Sequence, residues 1–544
     1  MDYNIQFVKN ALLFRNKPAF EFPDRNISLS HIDIRHHSHR IACYLLDLGI
    51  QKGDSVCLWM GNVPEYPLIA AACLRIGAVI VPLNVYETAE NIVSMCRECG
   101  AKILFSDGSN KYIRKKPIPD VVGTLSIINL AAFEDTHSPR LGFIPADLSL
   151  PKIRCKLQQS DPVSLLYTSG STGEKKAVLK SLGSLSHTLA VPRFLIVLVH
   201  YFFFPLNAFL LSPWFHLAGL SYLFHVFDGT EFSIASMDHF NPRFASEYLQ
   251  QHKVSLWIGT ATMLSRCCTY AGSNFQLPRV IATSGEALSR RVLDVLESCG
   301  GCQAIFSTYG TTEIGGIALM YYLFPHASRL FSFIRFFMQT TQTITQTYSY
   351  KDFPANAQTL LLGDILPTAQ VAIYDEERGC IVPDGEIGEI FAHSATAVQR
   401  YEYTSENKLC IELNGKIYTR TGDMGCKRGH QLYLIGRKKN LIIRSGENII
   451  PAEIEQAAAC YPGILAAVAC SIPSRTHGED ICLCLETDSP TLDTSALLEY
   501  LKNTLPKYMI PQHIDILDEF PIGPTGKTNV QTIQAKMAEK YPIV

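Results

Sequence analysis

The segment LLYTSGSTGEKKAVLKS, Leu165 to Ser181, joins an apolar run to a loop of hydroxyls, glycines and cations. The run ends at Leu166. Five hydroxyl residues follow, Tyr167, Thr168, Ser169, Ser171 and Thr172, with Gly170 and Gly173 among them, and then Lys175 and Lys176. Glycines let a backbone curl so that its N–H groups converge on an anion, while hydroxyls add donors and lysine adds charge. In a parallel sheet, ligands bind beyond the carboxyl ends of the strands. A triphosphate cradle is therefore expected, provided the flanking chain builds such a sheet. It is not a Walker P-loop, since Lys175 stands five residues beyond Gly170 where that motif needs glycine. The segment GPTGKT (523–528) fails likewise, with Pro521 at the required first glycine.

The flanking chain alternates as a parallel sheet requires. SVCLWM (55–60), AVIVPLN (78–84) and AKILFSD (101–107) read as strands, with helical patterns at 65–77 and 88–100 between them. Such alternation implies βαβ units. It recurs around 252–259, 278–285 and 302–310. After about residue 360, AQVAIYDEERG and GEIGEIFAHS suggest antiparallel strands. From about 440 a small unit follows, with strands near 464–471 and 480–486 and a helix near 495–504.

The 544 residues are too many for one ordinary domain, and with 47% hydrophobic against 18% charged residues they can build large cores. A net charge of −2 without a basic block gives no support to a nucleic-acid partner. Seventeen cysteines and a charged N-terminal stretch in place of a secretory leader predict a reducing, cytoplasmic setting. The pairs Cys96/Cys99 and Cys299/Cys302 sit where helical patterns give way to strands, so packing explains them better than zinc. The histidines 31, 36, 37 and 39 read as the polar side of a helix whose apolar face is Ile34, Ile41, Tyr44, Leu45 and Leu48. The apolar run 194–211, broken by Pro205 and Asn207, reads as a buried helix, a turn and a buried strand rather than a membrane span. The Phe-rich run 317–339, punctuated by Arg329 and Arg335, has the pattern of a helix at a membrane surface, of a lid over an apolar tunnel, or of core.

Four more stretches carry chemistry: STYGTTEIGG (307–316), YTRTGDMG (418–425), GRKKNLIIRSGENIIPAEIE (436–455) and FPIGPTGKTNV (520–530). Together with YTSGSTGEKK they resemble the adenylate-forming (AMP-binding) superfamily, in the family's order and over essentially the whole chain. The acyl-CoA synthetase, or fatty-acid–CoA ligase, branch is the nearest in pattern. The resemblance implies an α/β fold with a large N-terminal domain over 1–436. That domain has βαβ-type sheets and a β-barrel-like subdomain. A hinge at 437–440 and a small mobile α+β domain over 441–544 complete it.

The resemblance also implies roles. Thr168, Ser169, Gly170, Ser171, Thr172, Gly173 and Lys176 would wrap the outer phosphates of ATP. Gly285, Glu286 and Ala287 would line adenine, and Tyr309, with Gly310 and Thr311 after it, would stack on the base. Thr312 would donate to the α-phosphate. Glu313 would hold Mg²⁺, as suits a hard cation. Asp423 would accept from the ribose hydroxyls beside Arg437. Lys527 would bridge the acid's carboxylate and the α-phosphate, where a positioned cation is the largest single aid. His216 and Gly310 would line the acyl pocket. Amino-acid-activating members carry aspartate where His216 stands, so an α-ammonium would be buried unpaired here. Ser445, Gly446 and Glu447 would lie along the pantetheine path, with Lys439 as the pivot. The implied activity is formation of acyl-AMP from ATP and a carboxylic acid, followed by transfer to coenzyme A; the extra apolar material at 317–339 points to a medium- or long-chain acid. An acyl carrier protein is the alternative acceptor, and a non-catalytic ATP-binding protein the alternative activity. Two departures mark the phosphate loop: Lys175 stands where the family usually has proline, and Ala177 where it has glycine. Neither peripheral membrane contact nor oligomeric state follows from the motifs.

Overall fold

The computed structural model describes residues 1–542 except 109–120, 123–124, 134–137, 170–174, 189–199, 201–205, 232, 273–274, 287, 289, 353–359, 404–408, 446, 488–491, 522 and 524–526. Its described strands form three sheets, of seven, fifteen and five strands. In the first, parallel strands Ile103–Ser106, Ser55–Trp59, Val79–Pro82 and Pro162–Ser169 lie side by side, and Lys175–Ser181 turns back antiparallel beside the last. In the second, parallel strands Asn207–Leu210, Leu256–Gly259, Val280–Ser284 and Ala304–Thr311 run in order, and antiparallel strands continue it through Lys416–Arg428 and Gln431–Arg437. The third begins at Ile442–Arg444 and contains only later strands.

The helix Glu65–Ile76 shows why the two large sheets stay together. Every residue in it is buried, as expected of a helix apolar on all sides. It shares one core with Phe105 and Ile80 of the first sheet and Phe20, Leu210 and Ile234 of the second. Its one cation, Arg75, donates to Ser38 Oγ (2.8 Å), Asn4 Oδ1 (3.0 Å) and the Arg35 carbonyl (3.0 Å), so the buried guanidinium is satisfied. The helix stops at Gly77, whose φ of +77° is cheap only for glycine.

Three expectations are corrected. The run 317–339 is not one helix. Gly315–Leu323 is a buried antiparallel strand beside Ala304–Thr311, and Arg329–Thr340 is a separate helix burying Phe331, Ile334 and Met338. Most of this apolar material fills the core, so it no longer argues for a long acyl chain. The helix His31–Asp47 carries a Ser30–Asp33 capping box, but Leu48 is 43% exposed while His31 is 3% exposed against the Phe14 ring. Of the run 194–211, the strand Asn207–Leu210 is present, while most of its first part lies outside the described residues. No described helix is long and apolar enough to cross a membrane. The paired cysteines at 96/99 and 299/302 are all buried. Among the described residues, Cys470, Cys482 and Cys484 bring their sulfurs within 4.8 Å of one another, and Cys57 Sγ lies 3.8 Å from Cys99 Sγ. The first three pack with Val468, Ile472, Phe520, Ile533 and Met537, a dry setting that suits thiols as small hydrophobes.

Candidate active site

Three antiparallel strand pairs deliver the site. In the first, Thr168 lies opposite Lys176 and Ser169 opposite Lys175. The loop between them, Gly170 to Gly173 with Glu174, lies outside the described residues, as does the Ser169 side chain. In the second, Thr312 and Glu313 occupy the turn between Ala304–Thr311 and Gly315–Leu323. A Cβ at Gly310 would lie 2.0 Å from the Gly315 carbonyl oxygen, so this turn closes only with glycine. In the third, Asp423 faces Arg437 across the ladder, with Oδ1 2.7 Å from Nε.

The register brings these turns to one place. Thr168 Oγ1 lies 3.4 Å from Glu313 Oε1. The Tyr309 hydroxyl donates to Asp423 Oδ2 at 2.8 Å. A cavity of about 1460 Å³ is lined by Thr168, Glu313, Gly285, Arg437, His216 and Lys527, among others. Lys527 arrives from the small domain. A Cβ at Gly285 would lie 3.1 Å from Lys527 Nζ, so this glycine leaves room for the ammonium. Lys439, in the short 3₁₀ turn Lys438–Asn440 between the large region and the third sheet, also borders the cavity.

The electrostatics follow from burial. Desolvation lowers the Lys527 pKa, which Glu286 and Asp423 oppose. Burial raises the carboxyls of Asp423 and Glu286. Arg437, the Tyr309 hydroxyl and Lys527 pull Asp423 back, and Thr262 and Lys527 pull Glu286 back. His216 is pushed down to about 4 by burial and by the Lys527 charge. It is therefore neutral near pH 7, and its buried Nε2 has no partner among the described residues. On this side the wall is apolar, with Leu217, Leu256, Val280, Phe306 and Leu319.

Ser445 and Glu447 are not brought here. They are exposed at the turn joining Ile442–Arg444 to Glu447–Ile449, and no described residue of 442–450 borders the cavity. Gly446 and Ala287 lie outside the described residues. Lys175 borders the cavity but is held in an ion pair with Glu87, which also lines it.

Several contributors were not foreseen. Tyr401 donates its hydroxyl to Glu313 Oε1 at 3.0 Å, and Lys176 Nζ lies 4.8 Å from its ring centroid. Thr262 donates through both its N–H and its hydroxyl to Glu286 Oε2, at 3.1 and 2.8 Å. Lys180 is buried behind Glu313. Nothing in the sequence near Tyr401 or Thr262 signals these contacts. For Lys180 the period of two did, because it places Lys180 on the face of the buried Val178.

The chain matches the model of the AMP-binding enzyme family over residues 7–402. It is 24% identical to an indoleacetate–CoA ligase of Aromatoleum aromaticum, over 98% of this chain and 97% of the relative. It is also 24% identical to a long-chain-fatty-acid–CoA ligase of Mycobacterium tuberculosis, over 96% of each. Among solved structures, o-succinylbenzoate CoA synthetase from Bacillus subtilis with its acyl-adenylate intermediate superposes with a TM-score of 0.74, at 21% identity and 97% coverage of both chains. The α/β fold, with its large sheet-rich region and smaller C-terminal unit, is thus that of adenylate-forming enzymes. The family match takes in the strand pair Pro162–Ser169 and Lys175–Ser181 and the Glu313 turn, and the chain belongs to the AMP-binding enzyme family.

Proposed function

We propose that the protein activates an apolar carboxylic acid, with medium- and long-chain fatty acids as the favoured class, and joins it to coenzyme A. The carrying observation is that Lys527 and His216 share the cavity that Glu313 and Arg437 also border, with the charges of Glu286 and Asp423 acting on the lysine. A cation there stands between nucleotide-side carboxyls and an apolar acyl wall.

In the first half-reaction the acid's carboxylate attacks the α-phosphorus of ATP and pyrophosphate leaves, giving acyl-AMP. Lys527 neutralises the two anions as they meet, Thr312 donates to the α-phosphate, and Asp423, oriented by Arg437 and Tyr309, takes the ribose hydroxyls. Neutral His216 closes the acyl side without adding charge. The oxygen-only group of Glu313 and Thr168 suits a hard divalent cation, and Glu313 would hold Mg²⁺, whose charge offsets that of the phosphates. In the second half-reaction the thiolate of CoA attacks the acyl carbonyl and AMP leaves. Relatives named for medium-chain and long-chain acids support the acid class, and those named for CoA ligation support the acceptor.

The test is acid-dependent pyrophosphate exchange over a panel of fatty and aryl acids, repeated with CoA and with a carrier protein as acceptor. Exchange with fatty acids and thioester formation with CoA are expected. Thioester formation only on the carrier protein would move the acceptor, and ATP binding without exchange for any acid would refute the activity.

A further inference from the structure

We propose that Lys180 is a positioning residue for the nucleotide half of this site, holding the Glu313 turn from behind with a buried charge. The proposal rests on the adenylation reading above.

Lys180 is fully buried, at 0% exposure, on the strand Lys175–Ser181. Its ammonium donates to the main-chain carbonyls of Glu313 at 3.2 Å and Thr396 at 2.9 Å. No carboxylate forms an ion pair with it among the described residues. Each carbonyl already has another donor. Val398 N–H reaches the Glu313 oxygen at 2.8 Å, and Ser184 Oγ reaches the Thr396 oxygen at 3.1 Å. Hydrogen-bond satisfaction therefore does not require Lys180. The Glu313 carboxylate pulls on the ammonium only through space, against the larger cost of burial; a buried ammonium with no ion-pair contact is costly, and an apolar residue of similar shape is often as stable or more so. A cost that the fold does not need points to function.

The contacts say what that function is. Glu313 carries the carboxylate that Thr168 and Tyr401 hold from the front. Lys180 holds the same residue's main chain from behind and ties it to Thr396, whose hydroxyl in turn donates to the Ile314 carbonyl. The loop after Thr396 supplies Tyr401. One buried cation thus joins the two segments that aim the Glu313 carboxylate, beside the place where a triphosphate would bring its negative charge. That charge, at short range and away from bulk water, offsets the cost of burying the lysine.

The test compares Lys180→Met, which removes charge and donor, with Lys180→Gln, which keeps a donor and removes charge. Three quantities are read: the thermal midpoint without nucleotide, pyrophosphate exchange against ATP and Mg²⁺ concentration, and thioester formation from supplied acyl-AMP and CoA. For Lys180→Met the expected midpoint equals or exceeds that of wild type. Exchange efficiency in ATP should fall, and the Mg²⁺ concentration for half-maximal rate should rise, each by about tenfold to a hundredfold, as for other residues that orient a metal ligand. The KM for the acid and the thioester step should stay within about twofold. Should the methionine variant not fold, the glutamine variant is expected to show the same split. Wild-type exchange and Mg²⁺ dependence in a folded variant would overturn the proposal. So would a parallel fall of both half-reactions with a lowered midpoint, the mark of a merely structural lysine. A wild-type protein that exchanges pyrophosphate with no acid would instead overturn the function on which the proposal rests.

Discussion

Replacing Lys527 by alanine tests the chemistry at its centre. Gly523 N–H donates to the Lys527 carbonyl at 2.6 Å, so the backbone at the lysine is held. Its ammonium lies over Gly285, within the electrostatic reach of Glu286, Asp423 and His216. On the proposed function, the acid's carboxylate and the α-phosphate approach each other there. Two unit charges about 4 Å apart repel by about 4 kcal/mol at an effective dielectric near 20. Loss of one preorganised donor at a developing charge costs about 2.7–4 kcal/mol, a similar figure reached independently. Lys527→Ala should therefore lower acid-dependent pyrophosphate exchange by about 10²–10³. The same variant should still make thioester from supplied acyl-AMP and CoA at close to the wild-type rate, because a thiol needs the carbonyl that the lysine covers. Exchange within a few-fold of wild type would refute the mechanism, and an equal loss of both half-reactions would make Lys527 a folding residue instead.

Three further outcomes follow from other contacts. Lys439 sits in a 3₁₀ turn, whose usual φ is near the value that proline fixes, so Lys439→Pro should keep exchange within about tenfold while thioester formation falls much further; parallel losses would remove the pivot assignment. Arg266 bridges the two units, with Nη1 2.5 Å from Glu519 Oε1 and Nη2 3.4 Å from the Phe520 carbonyl. Arg266→Ala should cost exchange about fivefold, roughly 1 kcal/mol, and leave the acyl-AMP half-reaction unchanged or faster, whereas equal losses would refute a latch. Burial pushes His31 down to about 4 from 6.5, against the pull of Glu231, so the unfolded chain binds a proton that the fold refuses as pH drops through that window. Stability is therefore lost from about pH 6.5 to about pH 4, and His31→Phe should recover up to about 3 kcal/mol of it at the acid end; a difference from wild type that does not vary with pH in urea unfolding would refute this.

Where sequence reasoning succeeded, short-range pattern was sufficient. The helix at 65–76 is continuous, apolar and closed by Gly77, and the strands at 55–59, 79–82 and 103–106 are brief apolar runs between helical patterns. The site turns were legible because glycines, hydroxyls and single charges stood at strand ends. Failure had an equally definite origin. Hydropathy alone does not separate a buried strand from a buried helix, so 315–323 and 329–340 were read as one run, although Pro325 lay between them. His31 is buried because it meets Phe14, a neighbour that only tertiary packing supplies, and Leu48 stays exposed because the helix ends at Asp47, before it. Tyr401 meets Glu313 across 88 positions and Lys180 meets Thr396 across 216, distances at which register, not local propensity, decides.

That same register explains why one arrangement displays only part of what the motifs encode. Lys527 and the Ser445–Glu447 turn belong to the same small unit, yet Lys527 is inside the cavity while Ser445 and Glu447 stand exposed outside it. On the proposed function, this arrangement serves the step in which carboxylate meets phosphate. On the same proposal, a pantetheine arm guided by Ser445 and Glu447 would need the unit turned so that their strand pair faces the acyl carbonyl. The connection able to turn it is the stretch from Arg437, the last residue of a large-sheet strand, to Ile442, the first of the small sheet. Its one short turn, 438–440, has no buried residue, so rotation there disrupts no core. What must break are contacts across the two units such as those of Arg266 with Glu519 and Glu486, each weak enough to be remade in every cycle.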